Sequence, residues 1–106
     1  MQNSSTYYEY NRLADRKRLD FITGFLQNAL PVGASILDVG CGNGVISRHL
    51  GRFGFNVTGI DVSEKTIEKA NALNSLNNVS FIKKSAEELM ATGEQYDAII
   101  CSEVLE

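Results

Sequence analysis

The stretch Ile36–Gly44 constrains the fold of this chain most strongly, because an apolar run there ends in a carboxylate and a glycine-rich turn. The run Ser35–Val39 predicts a buried strand, and the residues from Val45 predict a helix. Glycine permits a sharp turn and the close approach of a ligand, while the following helix N-terminus offers N–H groups and a positive dipole end. Such a turn at the carboxyl end of a parallel strand is typical of a site for a nucleotide-like ligand.

The rest of the chain alternates strand and helix patterns, which predicts an α/β fold with right-handed crossovers and a parallel sheet. Ser63 is the expected N-cap of one helix, and Ser85 with Glu88 forms a capping-box pattern at the start of another. The predicted strands are Ser35–Val39, Asn56–Asp61, Val79–Lys83 and Tyr96–Cys101, and the predicted helices are Asp15–Leu30, Val45–Phe53, Glu64–Leu73 and a short one ending near Ala91.

Composition restricts the class of protein. The chain has 106 residues, of which 43% are hydrophobic and 22% charged, with a formal net charge of −3. These values predict one small globular domain, and they supply no basic surface for nucleic acid. No apolar run approaches the roughly 20 residues that span a bilayer, so no membrane partner is expected. Cys41 and Cys101 each follow an apolar strand, which favours free thiols in a reducing cytoplasm.

The fourth predicted strand lies close to the last residue, Glu106. A continuously apolar strand such as Ala98–Ile100 is expected to be covered on both faces, and an uncovered edge invites pairing with another chain. We therefore expect residues 1–106 to be one truncated domain, with a segment and helix over 1–34 and a ligand-binding core over 35–106. The alternative is a natural small protein that dimerises through the edge of the fourth strand.

Three features are predicted to meet at the carboxyl edge of the sheet: the glycine turn, Asp61, and Ser85–Glu87. Asp61 ends the second strand about 20 residues after Gly40, the spacing expected of an acid that accepts the ribose hydroxyls of an adenosyl group. The alternative for Asp61 is an exposed acid that merely ends a strand.

The glycine spacing separates two ligand classes. A dinucleotide fingerprint reads G-x-G-x-x-G, and its third glycine allows close helix–strand packing. Here the order is Gly40-x-Gly42-x-Gly44, and Val45 occupies the place of that third glycine. Asp38 before the turn would repel a pyrophosphate and suits a ligand with an ammonium or sulfonium charge. A dinucleotide-binding oxidoreductase domain therefore remains the second hypothesis.

The segment Ile36–Gly44 resembles motif I of the class I S-adenosylmethionine-dependent methyltransferases. Gly59-Ile60-Asp61-Val62-Ser63 resembles their second motif, and Tyr96–Glu106 resembles their fourth, in the small-molecule subgroup that includes the ubiquinone-type O-methyltransferases. The resemblance implies a Rossmann-like parallel sheet in the order 3-2-1-4, the first four strands of a seven-stranded fold. It also implies transfer of a methyl group from S-adenosylmethionine to a small-molecule acceptor, with no nucleophile on the protein.

The resemblance implies a set of cofactor-binding residues. Asp61 would bind the ribose hydroxyls, Val62 would lie against the adenine, and Cys101 would border the methionine amine through its carbonyl. Many relatives carry Asp where this chain has Ser85, so Ser85 is also interpreted as a helix cap. The full implied set is Asp38, Gly40, Cys41, Gly42, Asp61, Val62, Ser85, Ala86, Glu87 and Cys101.

No residue is assigned a catalytic role, and no metal is expected. Glu103 and Glu106 would share a helical face and could hold a divalent ion, although two solvated carboxylates explain the spacing equally. Tyr7, Tyr8 and Tyr10 could form part of a lid or simply pack on the surface, and His49 is expected to pack rather than act as a base. A third hypothesis is a cofactor-binding module without activity.

Overall fold

The computed structural model describes the backbone of residues 4–101 and the side chains of residues 17–101. The chain divides into two units, Met1–Leu30 and Pro31–Glu106. The side chains of the three N-terminal tyrosines, and the Glu103–Glu106 pair with its metal hypothesis, lie outside these described residues.

The first unit contains helix α1, Ser4–Ala29. It begins well before the predicted start at Asp15, because residues 4–14 contain neither glycine nor proline to interrupt a helix. Within α1 the Thr23 hydroxyl donates to the Leu19 carbonyl one turn earlier at 2.7 Å.

In the second unit, strands and helices alternate as predicted. Helix α2 ends one residue before the predicted Phe53, and Gly54 follows with a φ of 97° that only glycine adopts readily. The capping box of Ser85 and Glu88 is confirmed. The elements are β1 (Ser35–Val39), α2 (Val45–Arg52), β2 (Asn56–Asp61), α3 (Glu64–Leu73), β3 (Val79–Lys83), α4 (Ala86–Met90) and β4 (Ala98–Ile100).

The four strands form one parallel sheet in the order β3-β2-β1-β4, which confirms the expected α/β, Rossmann-like topology. In register, Asp38 pairs with Gly59 and with Ile100, and Asp61 pairs with Lys83. The carboxyl ends of all four strands therefore meet at one edge of the sheet.

The two faces of the sheet pack different helices. On one face, β2 and β3 contact α2 and α3, and the buried residues there include Leu50, Phe55, Val57 and Phe81. On the other face, Leu89 of α4 packs with Leu37 and Ile60. The glycine turn leads from β1 to the first of these faces, so α2 starts directly above the carboxyl edge.

Strand β4 differs from its prediction. It is three residues long rather than the predicted six, and Ile99 is 63% exposed. Within residues 17–101, β4 is an edge strand that lies outside the Leu37, Ile60 and Leu89 cluster covered by α4. Its exposed Ile99 fits the uncovered apolar edge expected of the fourth strand when the sheet has only four strands.

Candidate functional site

The glycine turn needs glycine at each alternate position. Gly40, Gly42 and Gly44 have φ values of 69°, 58° and 85°, which side-chain-bearing residues rarely adopt. The N–H groups of Gly40 and Cys41 both donate to the Ile60 carbonyl, at 2.9 and 3.0 Å. The turn is thereby fixed to the end of β2.

Asp61 holds the other side of the turn. Its Oδ2 accepts from the Gly42 N–H at 3.3 Å, and its Oδ1 accepts from the Ser63 N–H at 3.0 Å. A carboxylate offers about four acceptor positions, so these two bonds leave about two for hydroxyl groups. The side chain is only half-buried. The predicted meeting of the glycine turn and Asp61 is confirmed.

The surroundings of the turn are open on one side and filled on the other. A Cβ built on Gly42 meets no described atom within 4 Å, whereas one built on Gly44 would lie 2.3 Å from a ring carbon of Phe81. Val62, beside Asp61, is 68% exposed. The Gly42 backbone and the Val62 side chain are therefore both accessible, while Phe81 fills the space beneath Gly44.

Asp38 is not exposed to this open side. It is fully buried, and its Oδ2 accepts from the hydroxyl of Ser47 at 2.6 Å. Sequence reasoning did not single out Ser47, although it is a small polar residue one turn before Leu50 on the buried side of α2. That signal, a hydroxyl within an apolar stripe, could have indicated a buried polar partner.

Cys41 lies within the turn and is buried. Burial, followed by the negative charges of Asp38 and Asp61, raises the pKa of its thiol to about 12. The thiol therefore stays neutral at physiological pH and behaves as a small apolar group. Its Sγ lies 3.6 Å from the Gly42 carbonyl.

The start of α4 reaches the same edge of the sheet. The Lys84 N–H donates to the Asp61 carbonyl at 3.0 Å, which places Ser85 close behind the end of β2. The Ser85 hydroxyl accepts from the Glu88 N–H at 3.1 Å, and Glu88 Oε1 accepts from the Ser85 N–H at 2.9 Å. These bonds lower the pKa of the exposed Glu88 carboxyl. The interpretation of Ser85 as a helix cap is confirmed.

The remaining predicted site residues also lie at the carboxyl edge of the sheet. Among the described residues, no hydrogen bond links them to the glycine turn. Ala86 is half-buried and packs against the Leu37, Ile60 and Leu89 cluster, whereas Glu87 is exposed. Cys101 is exposed directly after β4. His49 packs with Phe53, with ring centroids 5.1 Å apart, as expected for a packing residue.

Two other functions find no support in the part of the chain whose side chains are described. Over residues 17–101, no three His, Cys, Asp or Glu side chains group closely enough to hold a metal ion. The described helices include none with the length and apolar character needed to cross a membrane.

Residues 36–106 match the profile of a family described as a methyltransferase domain. The chain belongs to this methyltransferase family. The match confirms the resemblance to class I S-adenosylmethionine-dependent methyltransferases and does not favour the dinucleotide hypothesis.

Curated relatives of this methyltransferase domain carry one recurrent name. A ubiquinone biosynthesis O-methyltransferase of Rickettsia bellii is 48% identical over 73 residues, which cover 67% of this chain and 30% of the relative. Another of that name, from Hydrogenovibrio crunogenus, is 40% identical over 94 residues, 84% of this chain and 37% of the relative. The chain thus spans about a third of the length of these relatives.

Solved structures agree with the methyltransferase fold. Magnesium protoporphyrin IX methyltransferase from Synechocystis PCC 6803, crystallised with bound S-adenosylmethionine, superposes with a TM-score of 0.75 at 27% identity, covering 95% of this chain and 50% of that protein. The bifunctional kinase-methyltransferase WbdD gives a TM-score of 0.69 at 32% identity, over 78% of this chain and 20% of that protein.

Proposed function

We propose that this methyltransferase domain binds S-adenosylmethionine at the carboxyl edge of its sheet and serves in methyl transfer to a small-molecule acceptor. One observation carries the proposal: the Asp61 carboxylate keeps about two acceptor positions beside the open backbone of Gly42. Two adjacent ribose hydroxyls match two such positions. The cofactor carried by the Synechocystis structure supports the same ligand class.

The residues around Asp61 suit the other parts of that cofactor. The exposed Val62 offers an apolar surface for the adenine ring, and Ser85, Ala86 and Glu87 flank its edge. Gly40, Cys41 and Gly42 border the methionine part, with Asp38 buried behind them. Cys101 would contribute its backbone carbonyl to the methionine amine.

When bound, S-adenosylmethionine supplies a methyl group activated by its sulfonium. The chain itself then has to bind the cofactor, orient the methyl group toward the acceptor and exclude water from the site. Alignment of the acceptor atom with the C–S bond provides much of the rate. Asp61 fixes the ribose, and the glycine turn lets the backbone approach without a side chain. The neutral Cys41 thiol adds no competing nucleophile near the sulfonium.

The acceptor is proposed from the relatives. Their names include ubiquinone biosynthesis O-methyltransferase, which supports an oxygen atom of a small organic molecule as the acceptor. We further propose that residues 1–106 belong to one domain, with residues 35–106 as its cofactor-binding core. We place the protein in the cytoplasm, because the two free thiols, Cys41 and Cys101, suit a reducing compartment. A dimer through the edge of β4, and the absence of a nucleic-acid partner, stay predictions.

The test replaces the proposed ribose ligand. Asp61→Ala should weaken S-adenosylhomocysteine binding about 100-fold in calorimetry, since two hydrogen bonds to a charged group are lost. Asp97→Ala is the matched control, because Asp97 also accepts from a backbone N–H, that of Ser35 at 2.8 Å, but at the opposite edge of the sheet. Unchanged affinity in Asp61→Ala would refute the ribose role.

A further inference from the structure

Two fully buried polar side chains join the elements on either side of the glycine turn. Asp38 at the end of β1 and Ser47 in the first turn of α2 are both 0% exposed. The Ser47 hydroxyl donates to Asp38 Oδ2 at 2.6 Å, a length typical of a charge-assisted bond. Because removing polar groups from water costs free energy, a fully buried polar pair at this place indicates a role beyond packing.

The position of the bond relative to the turn indicates that role. It joins residues nine positions apart, and the whole of Gly40–Gly44 lies between them. The entrance of the turn is fixed by the two N–H bonds to the Ile60 carbonyl. The exit is where α2 starts, with the Arg48 N–H donating to the Gly44 carbonyl at 2.9 Å. The Ser47–Asp38 bond restrains this exit.

We propose that Ser47 is a positioning residue for the glycine turn, Gly40–Gly44. By holding the Asp38 carboxylate against α2, its hydroxyl fixes where the Gly42 backbone lies relative to Asp61. The bond between the Gly42 N–H and Asp61 is already long at 3.3 Å, so a small displacement of the turn weakens it. Ser47 thus sets cofactor affinity without touching the ligand, an inference that rests on the proposed function above.

The experiment removes and restores one hydroxyl in the full chain. Calorimetry with S-adenosylhomocysteine is performed at a temperature where thermal unfolding shows each variant to be folded. Ser47→Ala should bind about tenfold more weakly than the unaltered chain. Ser47→Thr keeps the hydroxyl but adds a methyl group to a fully buried site, so it should lose stability yet bind more tightly than Ser47→Ala.

A matched control lies on the same strand at the opposite edge. The Ser35 hydroxyl donates to Asp97 Oδ2 at 3.2 Å, so Ser35→Ala also removes a serine–aspartate bond. Since this pair is remote from the turn, Ser35→Ala should leave the affinity unchanged. This result would show that the loss of a serine–aspartate bond on β1 does not by itself weaken binding.

The outcomes separate the inference from the proposed function. Binding by Ser47→Ala as tight as that of the unaltered chain, or an equal weakening in Ser47→Ala and Ser47→Thr, would overturn the positioning role. If Ser47→Ala does not fold, Ser47→Cys replaces it, since a thiol keeps the volume but donates weakly. Absence of binding by the unaltered chain would instead overturn the proposed function, and this inference with it.

Discussion

Gly59→Ala should destabilise this domain through packing alone. Gly59 lies within β2, and its backbone is not in the left-handed region, so an alanine there carries no backbone strain. An added Cβ would lie 2.7 and 2.9 Å from two ring carbons of Phe81, and 2.9 Å from the Cβ of Cys41. Carbon atoms prefer about 3.5–4.0 Å, so the methyl group is too close to neighbours on two sides.

The size of the effect follows from these distances. Overpacking a buried site costs about 1–3 kcal/mol, and a clash on two sides places Gly59→Ala in the upper half, about 2–3 kcal/mol. For a domain of this length the midpoint of thermal unfolding should fall by about 10–20 °C. Chemical denaturation and calorimetric melting measure both quantities.

A double variant tests the cause. Phe81→Leu alone should cost about 1–2 kcal/mol, and it opens space beside Gly59, so the two costs should fall short of additivity by about 1 kcal/mol or more. Gly24→Ala, inside α1 where no described atom lies within 4 Å of a new Cβ, should stabilise by about 0.5–1 kcal/mol. Additive costs, or a Gly59→Ala variant as stable as the unaltered chain, would show that contact with Phe81 does not limit the size of residue 59.

Four further predictions concern the turn and its neighbours. Gly42→Ala and Gly44→Ala both carry the strain of a positive φ, but Gly44→Ala should lose more stability, because its Cβ would meet a ring carbon at 2.3 Å. Gly42→Ala should lose more of the S-adenosylhomocysteine affinity, because Gly42 faces open space; equal losses of stability and of affinity in the two variants would contradict this. Alkylation at pH 8 followed by mass spectrometry should label the exposed Cys101 and spare Cys41, whose thiol has a pKa of about 12. Since folding raises that pKa, this thiol's contribution to stability should fall as pH rises from about 9 toward 12, and a Cys41→Ala variant should lose less stability over that range. Ser85→Ala should cost about 1 kcal/mol in denaturant unfolding, and Ser85→Asp, which keeps a cap, should cost less; equal costs would count against the capping box.

Local patterns were sufficient for most of the fold. The bounds of β1, β2, α3 and β3, and the caps at Ser63 and Ser85, were predicted because each depends on residues close in sequence. The start of α1 was missed because the mostly polar residues before Asp15 show no clear helical periodicity of apolar residues. The length of β4 was overestimated, because an apolar run does not specify which of its residues pair with a neighbouring strand.

Long-range polar bonds were the part of the structure that the sequence did not reveal. Nothing adjacent to Ser47 indicates that it meets Asp38. Asn78, within what reads as an asparagine-rich loop, donates from its side chain to the carbonyls of Gly51 and Phe55 at 2.8 and 2.9 Å. Such pairs form only once β2, β3 and α2 have packed, so their partners follow from the topology rather than from local propensity.

We infer that the turn and Asp61 hold an adenosyl ligand, and titration calorimetry of the unaltered chain can establish or exclude this. S-adenosylhomocysteine should bind at one site per chain, and NADH should give no binding heat under the same conditions. Binding of NADH without binding of S-adenosylhomocysteine would instead assign the site to a dinucleotide.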